Sequence, residues 1–414
     1  MRNHFQNSWH RDYPAFDARR LVEQYGSPLF VFFPGVFMEN ATRLRDALAR
    51  RYRNCQINYS TKTNYLTCVL SNLPHAGVEP EVISGFEFDI VSRLGLLSNK
   101  TVVNGSFKSQ QDLTAAAEVG AKNNADTLEE LELLNSIGRE LGRKVSAGLR
   151  IQAQLTESLW TRFGFHHEKG EVMRAAEHVR DALPFVRLNG LHLHGGTNVC
   201  DTTYYAKASA FLVEIAEQLS KRSLLSLEYL DIGGGFATDC PFLDATSWSV
   251  PSADEYAEAV TGSIRKRFGP DGPLVIVEPG RYLVDDAFLL LTTAQRHRGG
   301  SDSDLVMDAG INILPSAKFR RHHLRNLTAT NNGTGRYNLY GPLCMQSDRL
   351  GSDVELPTVR IGDVIGIDFA GAYSFSQAWT FIQPMPAVIQ VDQNIIKLVR
   401  RRQTVDDLMA LDIS

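Results

Sequence analysis

The strongest constraint on the fold of this chain is a repeated alternation of short apolar runs with amphipathic helical segments. Intervening segments such as DLTAAAEVGAK and TLEELELLNSIGRELG place apolar residues three and four positions apart, as an amphipathic helix requires. The apolar runs are QINYSTK (56–62), EPEVISG (79–85), KTVVNGS (100–106), KNNADT (122–127), KVSAGLRIQ (144–152), LNGLHLHGG (188–196), LEYLDIGGG (227–235) and PLVIVEPG (273–280).

This alternation is typical of parallel strands joined by crossover helices, and therefore of an α/β fold. Eight units within about 250 residues predict a (β/α)₈ barrel of the TIM type. KNNADT is a weak strand, so an open, doubly wound sheet stays possible.

The sequence pattern changes after residue 285. β-Branched residues and Gly-Asp turns become frequent, as in DVELPTVRIGDVIGIDF and PAVIQVDQNIIKLVRR. These segments predict a mostly antiparallel, β-sandwich-like domain, and SPLFVFFPGVF near the start of the chain is strand-like as well. We therefore predict a barrel domain at 41–285 and a β-rich domain made of 1–40 plus 286–414.

Composition excludes several classes of function. The 43 Lys+Arg and 47 Asp+Glu residues give a net charge of -4 without long single-sign runs, which predicts neither a nucleic-acid nor a membrane partner. RRHH (320–323) and RRR (400–402) are expected to be solvated faces. Five cysteines without C-x-x-C spacing indicate neither a disulfide framework nor a metal site. MRNHFQNSWHRDYP lacks the apolar core of a signal peptide, so we expect a soluble cytoplasmic protein.

Polar clusters follow several of the predicted strands. Lys62 ends the first run, HLHGGTN the sixth, DIGGGF the seventh and EPGR the eighth. The C-terminal ends of barrel strands meet at one mouth, where barrel enzymes build their active sites. We therefore expect a lysine, a histidine, three glycines, a glutamate and an arginine to converge there.

Each of these residues also has an ordinary structural explanation. Lys62 fits an ion pair or a solvated lysine as well as a reactive amine. The glycines Gly233, Gly234 and Gly235 fit a tight turn as well as a phosphate site. His194 fits a buried barrel histidine, and Glu278 with Arg281 a plain ion pair. Taken together, an amine, an anion site, a flat ring and a carboxylate favour pyridoxal 5'-phosphate as the cofactor.

Eight collinear motifs carry a family resemblance. They are YSTKTN, VISGFE, GLHLHGGTNV, LDIGGGF, VEPGRYLV, VMDAGIN, GPLCMQSD and AGAYSFS. From about residue 28 onward, the chain resembles the fold type III (alanine-racemase-like) pyridoxal-phosphate decarboxylases, the group of diaminopimelate and ornithine decarboxylases. Within this family it is most similar to the decarboxylases of siderophore and antibiotic pathways.

The resemblance implies a role for each matching residue. Lys62 would carry the cofactor as an imine, His194 would stack on its ring, and Glu278 would contact the pyridine nitrogen. Cys344 would protonate the carbanion that decarboxylation leaves, although an ordinary half-buried thiol is the alternative. The resemblance also implies a homodimer with shared active sites, completed by Cys344 and Tyr373 of the partner chain. The cofactor-binding residues would be Lys62, His194, Gly233, Gly234, Gly235, Glu278, Gly280, Arg281 and Tyr373.

Two positions depart from the family pattern. Met345 stands where the family's diamino-acid decarboxylases have an acidic residue that recognises the distal ammonium. Leu314 precedes Pro315 where diaminopimelate enzymes have an arginine, for which Arg320 or Arg321 could substitute. These departures predict α-decarboxylation of a larger amino-acid conjugate in siderophore or other specialised metabolism.

Other interpretations remain open. One is a diaminopimelate decarboxylase of lysine biosynthesis. Another is a racemase on the same scaffold, which Glu278 argues against because that family is expected to have an arginine at the pyridine nitrogen. A catalytically silent binding protein is disfavoured by Lys62, and a lone barrel by the long β-rich tail. The sequence does not identify the substrate.

Overall fold

The structure is a computed structural model that describes residues 13–155, 162–299, 301–330 and 333–413. The first twelve residues of the predicted 1–40 segment lie outside the described residues. The strands are β1 Leu29–Phe32, β2 Cys55–Ser60, β3 Glu79–Val82, β4 Val102–Val103, β5 Lys122–Ala125, β6 Val145–Gln152, β7 Phe165–His166, β8 Val186–His192, β9 Tyr229–Asp231, β10 Leu274–Val277, β11 Phe288–Arg298, β12 Ser301–Met307, β13 Leu324–Asn326, β14 Thr334–Tyr340, β15 Arg349–Pro357, β16 Val364–Ile367, β17 Ala387–Asp392 and β18 Ile395–Arg400. The α-helices are α1 Ala18–Tyr25, α2 Pro34–Arg51, α3 Thr67–Leu70, α4 Leu73–Ala76, α5 Gly85–Arg93, α6 Gln110–Glu118, α7 Leu128–Glu140, α8 Glu171–Ala182, α9 Thr202–Lys221, α10 Ala253–Phe268, α11 Arg281–Val284 and α12 Val405–Met409.

Eight parallel strands of the described chain close into a barrel. Their order is β5-β4-β3-β2-β10-β9-β8-β6, and β5 pairs with β6 to complete the circle. Each of the eight apolar runs overlaps one of these strands, which confirms the predicted (β/α)₈ barrel and excludes the open sheet. The helices between them begin where the sequence provides caps, as at Ser252, whose side chain accepts a hydrogen bond from the Glu255 amide.

The weak strand β5 includes polar residues in the barrel interior, and one of them, Asn124, takes part in a hydrogen-bonded network there. Asn123 and Asn124 are both fully buried. The Asn124 amide donates to Asn104 Oδ1 at 2.9 Å and to Asp231 Oδ2 at 3.2 Å. The Tyr229 hydroxyl donates to Asn124 Oδ1 at 2.8 Å. Satisfied polar groups of this kind are stable in a barrel interior, so hydrophobicity alone underestimates such a strand.

A second, mostly antiparallel sheet forms the β-rich unit. Its main strand order is β15-β14-β12-β11-β1-β17-β18, with β16 pairing to β11 and β13 to β16. The early segment SPLFVFFPGVF does contribute a strand, β1, which is antiparallel to β11 and parallel to β17. The strand ends at Phe32, and Pro34 begins helix α2. The predicted β-rich second domain is thereby confirmed as a fold.

The chain divides into two compact units. The barrel unit comprises Met38–Ala237 and Ser249–Tyr282. The β-rich unit comprises the described parts of Met1–Phe37, Thr238–Trp248 and Leu283–Ser414. No helix within the described ranges is both long and apolar enough to cross a bilayer. The predicted cytoplasmic location stays a prediction.

A buried ion pair lies in the β-rich unit, and it corrects one expectation. Arg320 belongs to RRHH, which was expected to be a solvated face, yet Arg320 is only 1% exposed. Its Nη2 lies 2.7 Å from Asp285 Oδ2, and both side chains are fully buried. The guanidinium also donates to the Cys240 carbonyl and to Thr238 Oγ1. Through these contacts the buried arginine links the segment 238–248 to Asp285, near the start of the β-rich tail.

We expect Asp285→Asn to destabilise the protein by about 3–5 kcal/mol, because it keeps the shape of the side chain but leaves the Arg320 charge buried without its counterion. The matched control is Asp353→Asn, whose carboxylate pairs with Arg336 on the exposed surface. This control should cost less than about 1 kcal/mol. Urea unfolding of both variants measures the difference. Equal losses would contradict a structural role for the buried pair.

Candidate functional site

The candidate site lies at the C-terminal ends of four consecutive barrel strands. Lys62 is in the short helical turn Thr61–Thr63 that follows β2, and Glu278 follows β10 directly. The glycine triplet begins two residues after β9 ends, and His194 stands two residues after β8 ends. Because β2, β10, β9 and β8 are neighbours in that order, the polar groups predicted to converge are placed on adjacent strands.

Glu278 is the buried carboxylate of the site, at 3% exposure. The Asn104 amide donates to its Oε1 at 2.5 Å, and His192 Nε2 lies 3.6 Å from its Oε2. Burial alone would raise the pKa of Glu278. The interaction with His192, the charge of Lys62 and a hydrogen bond with Asp231 outweigh burial and hold its pKa well below the usual range. Glu278 is therefore ionised.

Asp231, which shares a hydrogen bond with Glu278, has its pKa shifted in the opposite direction. Burial, repulsion from Glu278 and the shared hydrogen bond raise the pKa of Asp231 well above its usual range. Asp231 therefore keeps its proton and shares it with Glu278, so that the pair carries one negative charge. Donor atoms of His192, Asp231 and Glu278 lie within 4.8 Å of one another.

Lys62 lies close to another buried carboxylate, that of Glu81. Its Nζ lies 3.6 Å from Oε2 of Glu81, a side chain with no exposed surface. Burial raises the pKa of Glu81, and the charge of Lys62 opposes that shift. Asn104 joins the two acids, because its amide also donates to Glu81 Oε1 at 3.1 Å. A primary amine is thus held next to a network that contains an ionised and a protonated acid.

The glycine turn requires residues without a Cβ. Gly233 and Gly235 have φ angles of +70° and +92°, in the region that other residues rarely adopt. A Cβ on Gly234 would lie 2.2 Å from the Glu278 carbonyl oxygen. At Gly280, a Cβ would lie 2.0 Å from Thr63 Oγ1. The backbone therefore runs too close to neighbouring protein atoms for any residue other than glycine at these positions.

His194 is fixed by the same turn. The Gly234 amide donates to His194 Nδ1 at 3.1 Å, so the neutral ring carries its proton on Nε2. Burial, with the charges of Lys62 and Arg150, lowers the pKa of His194 to about 3. The ring is neutral at physiological pH and presents a flat surface. Arg281, at the start of α11, is 7% exposed.

Sequence reasoning missed four residues of this network: Glu81, Asn104, His192 and Asp231. Each is a polar residue within or directly after a predicted apolar strand, as in EPEVISG and LHLHGG. The sequence signal for two of them was an acid inside an apolar run, Glu81 in EPEVISG and Asp231 in LEYLDIGGG. A buried charge requires a partner, so such an acid indicates a polar network.

The remaining predicted site residues belong to the β-rich unit. Cys344 is exposed, and Tyr373 has a φ angle of +58°. Met345 is 36% exposed, whereas Leu314 is fully buried. Arg320 is held by Asp285, so the expectation that it substitutes for the missing substrate-binding arginine is wrong.

Comparison with known proteins gives consistent results. The family model described as "Pyridoxal-dependent decarboxylase, pyridoxal binding domain" matches residues 37–285. The diaminopimelate decarboxylase of Bacillus subtilis is 27% identical over 427 residues, which cover 98% of this chain and 95% of the relative. The diaminopimelate decarboxylase of Methanothermobacter thermautotrophicus is 28% identical over 95% of this chain and 93% of that relative. The crystal structure of diaminopimelate decarboxylase from M. jannaschii, also solved with L-lysine, matches with a TM-score of 0.89 and 26% identity over 96% of this chain and 95% of that chain.

We expect Glu87 to make stability depend on pH. Its Oε2 accepts a hydrogen bond from the Ile83 amide at 2.8 Å, and burial together with the charge of Glu81 raises the pKa of Glu87 from 4.5 to about 7. Between pH 4.5 and about pH 7 the folded state binds more protons than the unfolded state. The contribution of Glu87 to the free energy of unfolding therefore falls as pH rises.

Glu87→Gln should remove this dependence. The difference in free energy of unfolding between variant and wild type should change by about 2–3 kcal/mol from pH 4.5 to pH 7 and then stay level. Urea unfolding across that pH range measures it. Glu140→Gln, on the exposed end of α7, is the control and should give a level difference. A level difference for Glu87→Gln as well would refute the raised pKa.

Proposed function

This chain belongs to the pyridoxal-dependent decarboxylases, and from this premise we propose that it removes the α-carboxylate of an amino acid at the mouth of its barrel. The observation that carries the proposal is the carboxylate of Glu278, buried at the end of β10 and held by Asn104 and His192, on the strand next to the one that Lys62 follows. The predicted cofactor, pyridoxal phosphate, is confirmed by the family. When bound, it supplies an electron sink for the carbanion that remains after carbon dioxide leaves.

The residues of the barrel mouth fit this cofactor. Lys62 would provide the amine that binds it covalently, and the neutral His194 ring would stack on its face. The amides of Gly233 and Gly234 donate to Asp231 and His194, so the turn would offer the phosphate the amide of Gly235, and Arg281 would add a positive charge. The support is the placement of Lys62, His194, the glycine turn and Arg281 at the C-terminal ends of adjacent barrel strands.

Glu278 would hold a proton at the pyridine nitrogen, because an ionised carboxylate stabilises a protonated nitrogen next to it. A protonated ring withdraws electrons strongly, and decarboxylation needs that property. Asn104, Asp231 and His192 would position this carboxylate and keep it ionised. A carboxylate at this position, where a racemase of this family is expected to have an arginine, makes the racemase alternative the weaker one.

The β-rich unit would supply further groups. We propose that the enzyme is a homodimer in which Cys344 delivers the proton to the carbanion in the partner's site and Tyr373 contacts the phosphate there. Support comes from the motifs GPLC and AGAY and from the exposure of Cys344. A thiol at the surface of its own unit can reach a neighbouring chain.

Mixed dimers test this arrangement. Lys62→Ala and Cys344→Ala chains should each be nearly inactive alone, and Lys62→Ala should also lose the yellow colour of the lysine-bound cofactor. Mixed dimers should recover part of the wild-type activity, because one of their two sites contains both intact residues. The measurement is carbon dioxide release after the chains are dissociated and recombined. Mixed dimers that form without recovery would exclude shared sites.

For the substrate, the comparisons favour diaminopimelate. The relatives that match over nearly the whole chain are diaminopimelate decarboxylases, and one related structure contains L-lysine. They support this alternative better than the conjugate of siderophore or other specialised metabolism that the sequence departures predict. We therefore propose a diaminopimelate-type amino acid as the first candidate substrate.

A second candidate rests on two residues of this chain. Leu314 is fully buried and apolar where the family's diaminopimelate enzymes have an arginine, and Met345 is partly exposed where an acid is expected. Neither side chain can pair with a charged group at the distal end of diaminopimelate. Each lost contact costs about 1–3 kcal/mol, or roughly ten- to a hundredfold in specificity. A substrate with a different distal end is therefore the second candidate.

A substrate comparison decides between the two. With the cofactor-loaded enzyme, kcat/KM for carbon dioxide release is measured on meso-diaminopimelate, ornithine, lysine and N-acylated diamino acids. Efficiency on diaminopimelate of about 10⁴ M⁻¹s⁻¹ or more, as a dedicated enzyme shows, would establish the first candidate. Values at least a hundredfold lower for diaminopimelate than for a conjugate would establish the second.

A further inference from the structure

The side chain of Asn104 contacts two buried carboxylates at the same time. Asn104 follows β4 directly and is 4% exposed. Its Nδ2 donates to Glu278 Oε1 at 2.5 Å and to Glu81 Oε1 at 3.1 Å. One nitrogen atom therefore lies within hydrogen-bond distance of both acids, and each of its two hydrogens is used once.

These contacts cross the interior of the barrel. Glu81 lies in β3, which is the neighbour of β4. Glu278 follows β10, and two strands, β3 and β2, lie between β4 and β10 in the strand order. Backbone pairing does not connect β4 with β10, so the link between their ends depends on the Asn104 side chain.

The orientation of the Asn104 amide is fixed by its other neighbours. Its Oδ1 accepts a hydrogen bond from Asn124 Nδ2 at 2.9 Å. Asn124 is oriented in turn, because its Oδ1 accepts from the Tyr229 hydroxyl at 2.8 Å and its Nδ2 also donates to Asp231 at 3.2 Å. A rotated Asn104 amide would turn its oxygen toward both acids and its nitrogen toward the nitrogen of Asn124. The network therefore keeps the donating group between the two acids.

Two buried carboxylates this close repel each other unless a donor or a cation compensates. Glu81 has no exposed surface and Glu278 is 3% exposed, so water screens the repulsion little. Burial raises the pKa of Glu81 and the charge of Glu278 raises it further, whereas the charge of Lys62 opposes both effects. Close pairs of acids that lack such compensation share a proton instead of carrying two charges.

The nearby cations have other contacts. The Lys108 ammonium is buried and donates to the carbonyls of Gly105 and Asn124, but it lies 3.0 Å from Glu130 Oε2 and is paired with that acid. Lys62 lies beside Glu81, and a covalent bond to the cofactor would use this amine. The Asn104 amide is thus the neutral donor that both acids share.

We propose that Asn104 is a positioning residue of the cofactor site, which keeps Glu81 beside Lys62 and Glu278 at the pyridine nitrogen as separate carboxylates. This inference rests on the proposed decarboxylase function and assigns a further residue to it. With Asn104 in place, the pair of Glu278 and Asp231 keeps its one negative charge for the ring nitrogen. Without it, Glu81 and this pair would take up a further proton from solvent, and the charge at the nitrogen would be diluted.

Cofactor binding tests the inference without relying on turnover. The ligands are pyridoxal phosphate and its analogue with CH in place of the ring nitrogen, and absorbance titration gives both dissociation constants. Wild type should bind pyridoxal phosphate at least about tenfold more tightly, because only the ring nitrogen forms a charge-assisted hydrogen bond with Glu278. Asn104→Leu, which removes the donor, should reduce this preference to about twofold or less. A loss of packing alone would weaken both ligands equally.

A second substitution makes the test specific. Glu81→Gln in the Asn104→Leu background removes the acid from which Asn104 separates Glu278, so the double variant should regain most of the preference. Asn104→Ser is a smaller change whose hydroxyl can donate to one acid at most, and its preference should be intermediate. Asn54→Leu is the matched control: this exposed asparagine precedes β2, donates to the Gly272 carbonyl at 3.0 Å, and should leave both affinities unchanged.

Thermal melting checks that every variant is folded. An unchanged preference in Asn104→Leu would overturn the inference, and so would a lost preference that Glu81→Gln does not restore. Equal affinity of wild type for the two ligands would overturn it as well, because Glu278 would then make no special contact with the ring nitrogen. Carbon dioxide release by wild type is measured in parallel. The proposed function fails separately, if wild type shows the expected preference but decarboxylates no amino acid.

Discussion

Ionised Glu278 in the interior of the barrel is the constraint on which the site depends. Removing a carboxylate from water costs several kcal/mol unless hydrogen bonds and opposite charge compensate. The barrel provides these through Asn104, His192 and Asp231, with Lys62 as the nearby positive charge. Asp231 keeps its own proton, so that the pair holds one charge instead of two. One negative charge at a fixed position results.

The network sets the composition of strands that would otherwise be apolar. Asn124 of β5 donates to Asn104 and to Asp231, and Tyr229 of β9 donates to Asn124 in turn. The Tyr229 ring also packs with Val102 and Ile276 in the barrel core. A Cβ on Gly190 would lie 2.0 Å from this ring, so a glycine is required there. Polar support of the site and packing of the core are thus provided by the same side chains.

In the β-rich unit, a buried charge is compensated by a direct ion pair and not by a network of neutral and protonated groups. Its buried charge, Arg320, is matched by Asp285 in a contact that has a structural role. Lys318 and Arg321 of the same segment contact neutral groups instead, the Trp379 ring and the Leu243 carbonyl. Three nearby arginines and lysines of one short segment, 318–321, therefore have different roles, and only their partners distinguish them. A buried ion pair neutralises Arg320, whereas Lys318 is exposed and lies beside an aromatic ring.

The sequence by itself determined the barrel, the β-rich unit, the cofactor and the position of Lys62, His194 and Glu278 at strand ends. These follow from local periodicity and from motifs contiguous in the chain, which tertiary contacts only assemble. Tertiary structure decided the rest. Arg320 was expected to be solvated because its sequence neighbours are basic, yet Asp285, 35 residues away, makes it a buried residue. KNNADT was a weak strand because it is polar, and Asn124 finds its hydrogen-bond partners on other strands. The protonation of Glu278 and Asp231 was equally inaccessible from sequence, because a pKa depends on burial and on charges that only the closed barrel brings within a few ångströms.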